Sequence, residues 1–93
     1  MRLTIFPIRV RPVPLGGPVG AEVEVEVVGE WSAERLIDHL LVPLFGWPRG
    51  VYFLARPGGP CVQRDKALID RALAMRPGEL WELRESLCSR RRG

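Results

Sequence analysis

Asparagine is absent from the 93 residues, lysine occurs once, at Lys66, and histidine once, at His39. Cys61 and Cys88 are the only cysteines. With His39 they fall short of the roughly four Cys or His ligands of a structural zinc site, and two cysteines do not make a disulfide framework. Both are therefore expected as reduced thiols of a cytoplasmic protein. No apolar run approaches the roughly 18–20 residues of a membrane span, and the opening MRLTIFPIRV alternates instead of building a signal-peptide core. Charge of one sign is also scarce. Of 14 basic and 11 acidic side chains, Arg90, Arg91 and Arg92 supply the whole net charge of +3. The balanced remainder argues against a nucleic-acid or membrane surface.

Catalytic sets are missing as well. The stretch LGGPVG lacks the Lys-Ser/Thr that completes a phosphate-binding loop, so it reads as a turn between strands. His39 has no second histidine with which to ligate a metal, and Ser32, Ser86 and Ser89 have no base in a recognisable motif. The chain is expected to be no enzyme and to carry no cofactor or metal.

What is present is a short globular chain, 46% hydrophobic and 27% charged, with 10 glycines and 9 prolines that favour turns and short strands. Its length holds one domain. Residues 2–11 alternate, with an apparent change of phase at Phe6-Pro7 that suggests a bulge or an edge, because proline has no N–H for a ladder. Residues 12–20 close a hairpin. Residues 21–28 alternate strictly, with Val23, Val25 and Val27 opposite Glu22, Glu24 and Glu26. Ser32 is a suitable N-cap for a helix whose stripe is Leu36, Ile37, Leu40, Leu41 and Leu44, limited by Pro43. A strand at residues 51–56, a brief one at 61–63, a helical turn marked by Leu68, Ile69 and Leu73, and a strand at 79–84 follow. The expected core is Val23, Val25, Val27, Leu36, Leu40, Trp81 and Leu83, with Trp31, Trp47 and Trp81 packing in the core or at its rim. A helix across one face of a mixed sheet is a two-layer α+β domain.

This order of elements resembles the ubiquitin-like β-grasp family, with four to five strands packed on one helix. ALIDRALAMRPGELWELR is similar to the family's closing segment: Leu68 and Asp70 stand where it has a Leu and an Asp, and Trp81 and Leu83 where it has two core leucines. RRRG resembles the arginine-and-glycine tail of the conjugated modifiers. The resemblance implies a β-grasp domain at residues 1–84 and a mobile tail at residues 85–93. It also implies a bacterial ubiquitin-like modifier whose Gly93 carboxylate is adenylated and joined to a target, with Arg90, Arg91 and Arg92 read by the activating enzyme. The implied partners are that adenylating enzyme, a conjugating enzyme and a processing protease, with the free protein a monomer that binds neither nucleic acid nor membrane. Leu15 and Phe53 fall in the family's apolar recognition patch, whose third position is Arg84. One terminal glycine replaces the usual two, and the tail is longer.

Chemistry favours such an end independently. Glycine adds no Cβ near a tetrahedral centre, and guanidinium groups pair with enzyme carboxylates. Two other readings share the fold: a non-conjugated β-grasp adaptor, as in some bacterial secretion systems, and a sulfur carrier, which typically ends in a short diglycine tail without an arginine run.

Overall fold

Alternating side chains build the sheet of the computed structural model, which describes residues 2–85. Strands β1 (Ile5–Val13), β2 (Val23–Val28), β3 (Phe53–Ala55) and β4 (Leu80–Arg84) lie in the order β2-β1-β4-β3. β1 is antiparallel to β2 and parallel to β4, and β3 is antiparallel to β4. Phe6, Ile8, Val10, Trp81, Leu83, Val27 and Leu54 turn inward and are buried.

The expected change of phase in β1 does not occur. The pairing runs without a bulge from Ile5↔Val28 to Val10↔Val23, and Leu3 and Ile5 lie exposed. Pro7 is tolerated for a directional reason. In a strand the N–H and C=O of one residue point to the same side, and the Pro7 carbonyl accepts from Gly78 N–H on the β4 side, before β4 begins opposite Arg9. The Pro12 carbonyl likewise accepts from Gly20 N–H on the β2 side, beyond the last pair, Val10↔Val23. Both missing donors therefore fall just past the end of a neighbouring strand.

Residues 33–45 form one helical rod in three parts: α1 (Ala33–Arg35), a π-helical segment (Leu36–Leu41) and α2 (Val42–Phe45). The Ser32 hydroxyl caps it by accepting from Arg35 N–H at 3.1 Å. Pro43 does not stop the rod, contrary to expectation. An α-turn would drive its ring into the carbonyl four residues back, and the wider turn, in which Val42 N–H reaches Ile37 O, relieves that clash. Gly46, at φ 71°, ends the rod with its N–H on Pro43 O.

The wide turn also rotates the later residues about the axis. Ala33, Leu36, Ile37 and Leu41 are buried, while Leu40 is only half-buried and Leu44 is half exposed. Val23 and Val25 are half-buried too, since β2 is an edge strand flanked on one side only. These are corrections to the expected core, which Tyr52, Leu68, Leu73 and Met75 complete from the loops.

The remaining expected elements shrink. Cys61 makes one isolated bridge to Ala55, with Val62 N–H on Leu54 O, in place of a strand. Around Asp70 there is a single turn, with Leu73 N–H and Ala74 N–H on its carbonyl and Ala72 N–H on its carboxylate, and Ile69 is exposed. Cys61 is disulfide-bonded, which corrects the expectation of a reduced thiol there. Cys88 lies outside the described residues. No helix among the described residues is long and apolar enough to cross a membrane.

Candidate functional site

The outer face of the sheet carries the residues that point away from the core. Across β2, β1 and β4 it is a ladder of alternating charge. Arg9 and Arg11 reach Glu22 at 3.3 and 3.5 Å, Arg11 reaches Glu82 at 3.4 Å, and Glu82 meets Arg84 at 2.9 Å. Arg84 is fully engaged. Its Nη1 donates to Gly59 O at 3.0 Å and its Nη2, which also meets Glu82, to Arg56 O at 3.3 Å, so it clamps the turn after β3 onto β4. Arg84, expected at the third position of the patch, is thus a guanidinium already committed to its own fold.

Register gathers at one corner the three residues that the resemblance implied as a patch, Leu15, Phe53 and Arg84. Val13 pairs with Arg84 and Arg84 with Phe53, so all three form an outward row, and Leu15 follows Val13 by two residues in the β1–β2 loop. Leu15 is strongly exposed, and Phe53 and Arg84 are half-buried. Glu85 closes the corner. Its N–H donates to Val13 O at 3.1 Å and its carboxylate accepts from Leu15 N–H at 2.8 Å. Glu85, read from the sequence as the first tail residue, is thus bonded to the sheet. Arg90, Arg91, Arg92 and Gly93 lie outside the described residues.

At the other end of β4 is a denser knot. Glu79 accepts from Arg56 (3.2 Å), from the Trp81 indole N–H (3.1 Å) and from Arg76 N–H (2.9 Å). The Arg56 guanidinium lies 4.4 Å from the centre of the Trp81 ring and also donates to Ala74 O. Partial burial pushes the Glu79 carboxyl up, but the Arg76 and Trp81 hydrogen bonds and the Arg56 charge outweigh it, so the net shift is downward. Glu30 is lowered as well, chiefly by the Thr4 N–H it accepts. Neither knot was visible in the sequence. Their partners are far apart along the chain, and no local spacing marks them.

No group of three or more His, Cys, Asp or Glu side chains among the described residues could hold a metal. A shallow cavity of about 400 Å³ is lined by Asp38, His39, Val42, Arg49 and Gly50. Arg64 holds Asp38 at 3.4 Å, which leaves His39 without a paired ligand there. Phe45, Trp47 and Tyr52 pack with tilted rings at the end of the helical rod, their ring centres 6.0 and 5.1 Å apart, and the Tyr52 hydroxyl donates to Pro48 O. The expectation of Trp47 as packing rather than a binding box fits this arrangement.

No protein-family model matches the chain, and no curated protein sequence matches it. Among solved structures it is similar to the ubiquitin of Caldiarchaeum subterraneum, with a TM-score of 0.60 and 18% identity, covering 84% of this chain and 91% of that one. At that identity the likeness carries the fold. The domain has the ubiquitin-like β-grasp fold, an α+β arrangement of one helical rod on a mixed four-stranded sheet.

Proposed function

We propose that the protein is a ubiquitin-like modifier, joined to its target through the carboxylate of Gly93. The observation that supports this most is the corner at the end of β4. The last strand runs between β1 and β3 and leaves the sheet beside Leu15, Phe53 and Arg84, so a docking surface and the departing chain share one end of the ubiquitin-like fold.

In this reading the Gly93 carboxylate attacks the α-phosphorus of ATP and releases pyrophosphate. A thiol, hydroxyl or amine then takes the acyl group and releases AMP. Arg90, Arg91 and Arg92 pair with carboxylates of the activating enzyme, and Leu15 and Phe53 supply apolar contact. Arg84, held by Glu82, Gly59 and Arg56, shapes the corner rather than reaching out. The chemistry belongs to the partners: an adenylating enzyme, a conjugating enzyme and a processing protease. The protein itself is a monomer without catalytic residues.

ATP–pyrophosphate exchange with a candidate adenylating enzyme tests this. Exchange that requires the protein and is lost on deleting Gly93 is the expected result. Absence of exchange with the intact protein favours a non-conjugated adaptor that binds by the same sheet face.

A further inference from the structure

The joint between the β1–β2 loop and the root of the tail is made by one residue. Between the Val13 carbonyl and the Leu15 amide stands Pro14, which has no N–H of its own. Glu85 takes both neighbouring groups: its N–H donates to Val13 O, and its carboxylate accepts from Leu15 N–H at 2.8 Å. Among the described residues the loop's other bonds lie at its base, where Gly20 N–H meets Pro12 O and Glu22 pairs with Arg9 and Arg11, while its tip carries exposed Leu15 and Val19. Among the described residues the Glu85 carboxylate is the side chain that ties the Leu15 end of the loop to the chain leaving β4. The chain separation of the two partners, 70 residues, makes this a tertiary constraint and not a property of the loop.

We infer that Glu85 is a positioning residue, a latch that holds Leu15 beside the tail root so that the activating enzyme meets loop and tail as one preformed surface. This rests on the modifier reading above. The physical reason is preorganisation: a loop already held in its bound position loses less freedom on docking, so affinity rises without a new contact. Glu85 touches no reacting group, and its loss acts on recognition and not on the adenylation step.

Two measurements test it, on wild-type protein and on the variants Glu85→Ala and Glu85→Gln. The first is hydrogen exchange at the Leu15 amide, which needs no partner. The second is ATP–pyrophosphate exchange with the adenylating enzyme as a function of modifier concentration. In Glu85→Ala the Leu15 amide is expected to lose protection, and KM for the protein to rise about fivefold with kcat unchanged, the scale of one exposed charge-assisted bond. Glu85→Gln retains an acceptor oxygen and should restore most of both. A Leu15 amide as protected in Glu85→Ala as in wild type overturns the latch. Lost protection with an unchanged KM overturns its role in recognition. If the wild-type protein supports no exchange at all, the modifier reading falls and takes that role with it.

Discussion

The two ends of β4 are both held by a glutamate, and they are held differently. At its start, Glu79 collects donors from Arg56, Arg76 and Trp81 above a fully buried indole. At its finish, Glu85 accepts a single amide from an exposed loop. Removing the first carboxylate strands several donors next to the core, whereas removing the second leaves an amide that water can satisfy. One end of the strand thus anchors the fold, and the other presents a surface that can be altered with little effect on stability. The contrast predicts where substitutions unfold the protein and where they alter only what it meets.

The largest effect belongs to the anchored end. Trp81→Ala is expected to cost about 3–5 kcal/mol, because it removes a fully buried ring together with its hydrogen bond to Glu79. Urea denaturation measures this, and a cost under about 1 kcal/mol would break the contrast. Leu36→Ala should cost about 2–5 kcal/mol, and Leu40→Ala clearly less, since the π-helical segment leaves Leu40 half-buried.

Glu79→Ala comes next, at about 1–3 kcal/mol, with Glu79→Gln milder because an acceptor oxygen remains. The acid limb of stability sharpens the same point. Glu79 has its folded pKa below its unfolded value, so its contribution is complete above the ordinary carboxylate range and is lost as pH falls through the folded pKa. Glu30 acts in the same direction. Thermal scans between pH 6 and 2 should therefore show an acid loss that is shallower in Glu79→Gln; an equally steep loss would mean that Glu79 is not a source of it. Smallest of all, Glu85→Ala should cost only about 1 kcal/mol, the scale of the one exposed bond it removes from the Leu15 amide. A large fall in Tm would make the presenting end an anchor too.

What could be read from the sequence follows from range. Local patterns succeeded: the valine and glutamate alternation of β2, the Ser32 cap and the Trp81-Leu83 alternation of β4 each need only a few neighbouring residues. Pro7 and Pro43 misled for a shared reason. Proline breaks a ladder or a helix only if its missing N–H or its ring meets a partner, and here a strand end and a π-turn remove that partner. Arg84 was placed in the patch by alignment, yet its engagement with Glu82, Gly59 and Arg56 emerges only once the strands are paired. Glu79 and Glu85 carried no signal, because a glutamate that bonds across the fold looks the same in sequence as one that faces water.

The most direct test of the central claim is the intact mass of the protein after incubation with ATP and candidate adenylating and conjugating enzymes, followed by mapping of the linked peptide. The account predicts a covalent adduct through the Gly93 carboxylate, absent when Gly93 is deleted although that variant melts at the same temperature. An adduct that persists without Gly93, or an intact protein that never forms one, would contradict it.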